Sequence, residues 1–169
     1  MVMNPQALVH PFAPVWDCQS RVLVLGTFPS VLSRKNAFYY SHPQNRFWRV
    51  LAALFSAPVP ETVAQKRAML LAHRVALWDV LASCEITGSA DSAIRHPVPN
   101  DVASILAQAP ITAVFANGQT ASRLYRLHVR PVTGVEAFAL PSTSPANAAW
   151  SLSKLIDAWQ PVREALLLP

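Results

Sequence analysis

The sequence predicts an α/β fold built around a parallel sheet whose two faces are covered by helices. Short apolar runs rich in Val, Ile and Phe alternate along the chain with longer segments of helical periodicity, the pattern of parallel strands joined by right-handed crossovers. The runs are apolar at successive positions, as expected for strands buried on both faces. With 169 residues, the chain is long enough to bury a substantial core, and we predict one domain covering residues 1–169.

Four strands are predicted, and each is bounded by Gly, Pro or polar residues. The first is the run RVLVLG at 21–26, whose final glycine opens a segment rich in turn-forming and aromatic residues. The other three are VALWDV at 75–80, ITAVFANG at 111–118 and VEAFALP at 135–141.

Helices are predicted between these strands and after the last one. Helical periodicity covers 45–56, 61–74, 100–109 and 118–129, and a final amphipathic stretch covers 149–167. Residues 1–20 begin with a proline-rich stretch and are predicted to form an irregular arm.

The composition is that of a globular protein with a modestly charged surface. Apolar residues make up 52% of the chain and charged residues 14%, which argues against intrinsic disorder. No apolar stretch is long enough to span a bilayer, and the first residues lack the pattern of a signal peptide. We therefore expect a cytoplasmic protein, nucleoid-associated if bacterial, with no membrane partner. Cys18 and Cys84 have the spacing of neither a disulfide framework nor a metal site.

The net charge of +5 is compatible with a polyanionic partner but does not identify one. The basic residues are spread along the chain without a run of five. A basic surface must therefore be assembled by folding.

Polar and turn-forming residues follow each predicted strand. The first strand ends at Gly26, the second at Asp79 and the third at Asn117, and the fourth leads into the loop PSTSPAN at 141–147. Because a parallel sheet binds ligands beyond the carboxyl ends of its strands, we expect these groups to share one rim. The chain contains no dinucleotide fingerprint, Walker loop, nucleophile elbow or zinc-type Cys/His spacing.

Three motifs in this order carry a family resemblance: GTFPS at 26–30 with YYSHPQNRFW at 39–48, VALWDV at 75–80, and PSTSPAN at 141–147. From about residue 21 to 159 the chain resembles the uracil-DNA glycosylase superfamily, most closely its hypoxanthine-DNA glycosylase branch. The resemblance implies a three-layer α/β/α sandwich with a four-stranded, mainly parallel sheet. It also implies a monofunctional enzyme that flips a damaged or deaminated base out of DNA and hydrolyses its N-glycosidic bond, without metal or cofactor. We expect it to act as a monomer.

The same resemblance suggests which residues bind the flipped base. Phe47 is the candidate stacking ring, although its position at the start of a helix also suits a core residue. Asp79 is placed to accept from N1–H of hypoxanthine, although a strand-end carboxylate can equally be a cap. Tyr40 and Phe28 are predicted to complete the pocket.

Asn45 is the predicted catalytic residue. Most superfamily members carry Asp or Asn directly before the proline of the first motif, whereas this chain has Phe28. The hypoxanthine branch departs in the same way, and its HPxN asparagine corresponds to Asn45. An amide at this position can orient the attacking water, but it can also cap the following helix.

Two loops are predicted to contact DNA phosphates, because small residues let backbone amides and hydroxyls approach an anion closely. Where relatives often begin the second loop with a histidine that hydrogen-bonds the leaving base, this chain has Leu140 and Pro141. The predicted contacts are Thr27, Pro29 and Ser30 in the first loop, and Ser142, Thr143, Ser144, Pro145 and Asn147 in the second. Asn117 could supply a complementary amide to the base, but we predict that it shapes a turn.

Three alternatives stay open at this point. The first is a uracil-specific or mismatch-specific DNA glycosylase. The second is a non-catalytic module that binds damaged DNA, since Phe28 and Leu140 stand where relatives carry catalytic groups. The third is a protein that binds small nucleotides without contacting DNA.

Overall fold

A computed structural model of the chain describes residues 6–86 and 94–169. Its elements, in chain order, are β1 (Gln6–Val9), β2 (Val22–Gly26), α1 (Val31–Asn36), α2 (Phe47–Leu54), α3 (Val63–Ala72), β3 (Val75–Asp79), β4 (Leu81–Ile86), β5 (Ile94–Pro99), α4 (Val102–Gln108), β6 (Ala113–Asn117), α5 (Gln119–His128), α6 (Arg130–Thr133), β7 (Ala137–Leu140), α7 (Leu152–Ala158) and α8 (Gln160–Leu167). All four predicted strands are present, and every predicted helical segment contains at least one helix.

The central sheet has the strand order β3-β2-β6-β7, and neighbouring strands run parallel. Val22 at the start of β2 lies opposite Val75 on one side and Ala113 on the other, so the strand ends are aligned. The four-stranded sheet predicted from the sequence is therefore confirmed.

Helices cover both faces of this sheet and form two apolar cores. On one face Val22 and Val24 pack in a cluster with residues of α2, α3, α7 and α8. On the other face Leu23 and Leu25 pack in a cluster with residues of α4 and α5. Alternate residues of one strand thus enter opposite cores, which explains why the strand sequence is apolar throughout. The α/β/α layering is confirmed.

A second, antiparallel sheet has the order β1-β4-β5. Val9 in β1 lies opposite Ser83 in β4, and Val15 forms an isolated bridge with Leu77. The prediction of an irregular arm over 1–20 is therefore wrong for these residues, because the short strand obtains its hydrogen bonds from β4, distant in the sequence. β4 and β5 were also missed; β4 follows β3 after a single residue, and β5 contains two prolines.

Several helices begin with a side-chain cap. Ser30 accepts from the Ser33 amide at the start of α1, and Thr62 and Gln65 form a capping box at α3. Among the residues that the structure describes, no helix is long and apolar enough to cross a membrane.

Candidate active site

A cavity of about 330 Å³ lies at the carboxyl ends of the central strands, a size at the lower end of ligand pockets. The strand-end residues Gly26, Asp79 and Asn117 all border it, as the expected shared rim requires. Of the predicted site residues, those that line it are Thr27, Phe28, Pro29, Ser30, Tyr40, Asn45, Asp79, Ser142, Thr143, Ser144 and Pro145.

Gly26 is needed at the bottom of this cavity because two polar atoms occupy the space next to its Cα. A Cβ at this position would lie 2.5 Å from Oδ1 of Asp79 and 2.7 Å from the hydroxyl of Tyr40. The missing side chain of Gly26 therefore leaves room for the Asp79 carboxylate oxygen and the Tyr40 hydroxyl at the end of β2.

Asp79 forms a buried pair with His10, which the sequence analysis did not identify. Oδ2 of Asp79 lies 2.8 Å from Nε2 of His10, and each side chain is about 4% exposed. Burial raises the pKa of the Asp79 carboxyl, and the hydrogen bond and charge interaction with His10 oppose that rise. His10 follows β1 directly. It was missed because β1 itself was not predicted, although a histidine at the end of an apolar run is a usable signal.

Asn117 links β6 to the loop that follows β7. Its Nδ2 donates to Oγ1 of Thr143 at 3.0 Å and to the Tyr40 hydroxyl at 3.2 Å, while its Oδ1 accepts from the Thr143 amide at 3.1 Å. The prediction that Asn117 shapes a turn is therefore wrong. Thr143 is fully buried, and its hydroxyl is used in this network. The prediction that its side chain contacts a DNA phosphate is therefore wrong.

Tyr40, rather than Phe47, presents its ring to the cavity. Phe47 is fully buried, and Tyr40 stacks on it with centroids 4.1 Å apart and an interplanar angle of 21°. Trp48 and Trp159 contact Phe47 edge-on. The predicted stacking of a base directly on Phe47 is therefore corrected, because Tyr40 occupies that face of the ring. Tyr40 adopts a positive φ of 51°, a backbone conformation that is unusual for a bulky residue.

Asn45 borders the cavity and lies one residue before Arg46, the N-cap of α2. Its Oδ1 accepts a hydrogen bond of 3.0 Å from the Phe47 amide, which satisfies one of the unpaired donors at the helix start. The side chain is half-buried. The N-cap position of α2 is Arg46, which makes no side-chain cap bond, so the prediction that Asn45 is the N-cap is corrected by one residue. The catalytic role of Asn45 stays a prediction.

The loop at 141–147 is shaped by hydrogen bonds within itself. Ser142 Oγ accepts from the Ser144 amide, and Asn147 Nδ2 donates to the Ser142 carbonyl at 2.9 Å. Asn147 is not among the described residues that line the cavity. Its side chain therefore holds the loop, and its predicted phosphate contact stays a prediction.

Arg46 connects this loop to the start of α2. Its guanidinium donates to the carbonyls of Ser144, Asn147 and Trp150, and its amide donates to the carbonyl of Thr143. Its Nε is buried and has no hydrogen-bond partner among the described residues. This arginine organises the loop, whereas the sequence placed it only among the scattered basic residues.

The chain is similar to known proteins over most of its length. The family model for the uracil DNA glycosylase superfamily matches residues 13–164. Two proteins described as hypoxanthine DNA glycosylases are each 31% identical to this chain. The match to the protein from Methanosarcina acetivorans extends over 153 residues and covers 89% of this chain and 95% of the relative. The match to the protein from Methanosarcina barkeri extends over 150 residues and covers 88% of this chain and 93% of the relative.

A solved structure is also similar. It is the solution NMR structure of a protein from Methanosarcina acetivorans that is provisionally described as a uracil DNA glycosylase. The TM-score is 0.80 at 29% identity, and the match covers 94% of this chain and 99% of the other.

Proposed function

This chain belongs to the uracil DNA glycosylase superfamily, and from that premise we propose that it removes hypoxanthine from DNA by hydrolysing the bond between the base and its deoxyribose. The family membership makes it a DNA glycosylase. The choice of hypoxanthine is supported by the two relatives described as hypoxanthine DNA glycosylases, and above all by the carboxyl group at the base of the cavity.

That carboxyl group suits hypoxanthine better than uracil at the same position. Asp79 places Oδ1 beside Gly26 at the cavity. A carboxylate accepts from the N1–H of hypoxanthine, whereas it would repel the O4 carbonyl of uracil. Tyr40 supplies the aromatic face at the cavity on which a flipped base can stack.

Hydrolysis requires a water molecule close to C1′ of the sugar. We assign its orientation to Asn45, whose side chain borders the cavity. As the bond from C1′ to N9 breaks, its electron pair leaves with the base, the water oxygen bonds to C1′, and the proton that the water loses neutralises the departed base anion. Since an amide is a weak base, bond breaking must run ahead of water attack, and stabilising the departing base anion lowers much of the barrier.

DNA binding is assigned to the rim of the cavity. Arg34 borders the cavity, and Ser30, Ser142 and Ser144 surround its mouth with hydroxyls and backbone amides. The net charge of +5 favours a polyanion. Action as a monomer in the cytoplasm, without metal or cofactor, is part of the same proposal.

Two other functions make different predictions. A uracil-specific or mismatch-specific glycosylase would release uracil faster than hypoxanthine. A non-catalytic damage-binding module is favoured by Leu140, which is buried, and by Pro141, whose carbonyl accepts from Trp159. These residues offer the leaving base no polar side chain. Such a module would bind damaged DNA without releasing any base.

The test uses DNA duplexes that each carry one hypoxanthine, uracil, xanthine or ethenoadenine. After incubation with excess protein, alkali cleaves the strand at each abasic site, and the single-turnover rates are compared. We expect hypoxanthine to react fastest. Faster release of uracil would assign the chain to the first alternative, and binding without strand cleavage would assign it to the second.

A further inference from the structure

The pair formed by His10 and Asp79 joins the N-terminal segment to the end of β3 inside the cavity wall. The residues are 69 positions apart in the sequence, and Nε2 and Oδ2 are 2.8 Å apart. Both side chains are almost completely buried. Burying an ionisable pair is costly, so a role for this contact in the site is worth testing.

The backbone contact of His10 favours one position for the ring proton. The Phe12 amide donates to Nδ1 in a long hydrogen bond of 3.5 Å. An accepting Nδ1 leaves the ring proton on Nε2, which faces Oδ2 of Asp79. The rings of Phe12, Phe28 and Tyr39 contact the imidazole and limit its rotation.

The two oxygens of Asp79 therefore have different surroundings. Oδ2 is occupied by His10, while Oδ1 lies over Gly26 next to the Tyr40 hydroxyl, at the cavity. Oδ1 is therefore the Asp79 oxygen that His10 does not hold.

We propose that His10 is a positioning residue for base choice, which donates to Oδ2 of Asp79 and so keeps Oδ1 as an acceptor for the N1–H of hypoxanthine. This inference rests on the proposed function, since it explains how the same site would prefer that base. His10 acts through Asp79 and does not touch the base.

Loss of the His10 donor has a predictable consequence. Burial alone would then act on Asp79 and raise its pKa further. A protonated Asp79 is a donor, which suits the O4 of uracil and no longer the N1–H of hypoxanthine. Among the described residues, the other titratable or charged groups that border this cavity are Arg34, Tyr39, Tyr40 and His42. Burial raises the pKa of Tyr39, so it stays neutral.

Two substitutions distinguish the effect of the His10 N–H donor from the effect of its aromatic ring. His10→Phe keeps an aromatic ring among the same neighbours but removes the donor, and His10→Gln restores an N–H donor that does not titrate near neutral pH. The matched control is His96→Phe, because His96 forms a pair of the same 2.8 Å length with Glu85 on the surface, where its side chain is 78% exposed.

We expect His10→Phe to lower the single-turnover rate on hypoxanthine at pH 7 by about tenfold to a hundredfold, the scale of one hydrogen bond to a charged group. The ratio of the hypoxanthine rate to the uracil rate should fall as well. Activity that needs the Asp79 carboxylate is lost as pH falls through the pKa of that group. Because this pKa is higher in His10→Phe, the ratio of the hypoxanthine rate to the uracil rate should recover as pH rises. His10→Gln should restore most of the ratio, and His96→Phe should leave it unchanged.

The double variant His10→Phe/Asp79→Asn tests whether His10 acts through Asp79. It should have the same base ratio as Asp79→Asn alone, at every pH. A ratio that His10→Phe leaves unchanged, or a loss that is equal for both bases and independent of pH, would overturn the inference and leave His10 as a packing residue.

A failure of the proposed function can be distinguished from a failure of the His10 inference. If the wild-type protein releases no hypoxanthine, the proposed substrate is wrong, and the His10 inference is then decided by NMR of the wild type and of His10→Phe. Two results would support the role of His10. Its ring nitrogen shifts should indicate the Nε2–H form, and the pKa of Asp79, followed through the chemical shift of its carboxyl carbon, should be higher in His10→Phe than in the wild type. The other ring form, or an unchanged Asp79 titration, would overturn it.

Discussion

The Oδ1 atom of Asn45 accepts a 3.0 Å hydrogen bond from the backbone amide of Phe47. The side chain that is predicted to hold the water is therefore oriented by the helix that follows it. A carbonyl oxygen has two lone pairs, so Oδ1 can accept from the Phe47 amide and from a bound water at the same time.

Asn45→Ala should weaken both roles. We expect the single-turnover rate on hypoxanthine to fall by about a hundredfold or more, the scale of one positioned catalytic group. The free energy of unfolding should fall by about 0.5–1.5 kcal/mol through loss of the hydrogen bond to the Phe47 amide. Asn45→Asp keeps an acceptor for that amide and changes the charge beside the water, so it should restore stability without restoring the wild-type rate. A normal rate in folded Asn45→Ala would show that another group holds the water.

Tyr40 and Phe47 should respond differently to truncation, although their rings are in contact. Tyr40→Ala should weaken binding of a flipped base by about 1–3 kcal/mol, the range for base stacking on an aromatic ring. Tyr40→Phe keeps the ring and is the control for the lost hydrogen bond with Asn117. Binding to a duplex with a stable hypoxanthine nucleotide measures the effect, and equal affinity of Tyr40→Ala and wild type would exclude stacking on Tyr40.

Phe47→Ala should act on folding, since the ring is fully buried. Replacing a buried Phe by Ala costs about 3–5 kcal/mol of stability. Urea denaturation measures this cost. If the variant were as stable as wild type but bound the lesion more weakly, Phe47 would have to contact the base after a rearrangement of Tyr40.

Asp79→Asn should change base choice. An amide can donate to the O4 of uracil, which a carboxylate cannot do. We expect the ratio of single-turnover rates to shift toward uracil, while the absolute rate on hypoxanthine falls. An unchanged ratio would mean that Asp79 does not contact the base edge.

Arg46→Lys should loosen the loop at 141–147 without removing the positive charge. A lysine ammonium cannot reproduce the planar fork that reaches the carbonyls of Ser144 and Asn147 at 2.8 and 3.1 Å. We expect faster amide hydrogen exchange in residues 142–150 and a slower excision rate. The control is Arg49→Lys, because Arg49 is exposed and its guanidinium makes one long bond of 3.5 Å to the Gln44 carbonyl. Equal exchange in both variants would exclude the organising role.

DNA affinity should depend steeply on salt. Each neutralised phosphate contributes a slope of about −0.9 to the plot of log affinity against log salt concentration. With a net charge of +5, we expect a slope that corresponds to several phosphates. Fluorescence anisotropy across a salt series measures it, and a flat plot would favour a protein that binds small nucleotides.

Much of the fold could be predicted because it depends on local periodicity. Val22 to Gly26 are apolar in succession, and the helices on either side repeat apolar residues at helical spacing, so each element can be recognised by itself. The small sheet could not be recognised in this way. Gln6–Val9 is a strand because β4 supplies its hydrogen-bond partners, and those partners lie more than seventy residues away.

The sequence by itself determined the parallel sheet, the family motifs and the strand ends at which Asp79 and Asn117 meet one cavity, since strand direction alone brings carboxyl ends together. Only the tertiary structure decided what each side chain faces. It places His10 against Asp79, covers Phe47 with the ring of Tyr40 and directs Arg46 to loop carbonyls. These contacts join segments from 7 to 104 positions apart. They depend on how packed elements approach one another, and no local pattern of residues encodes that approach.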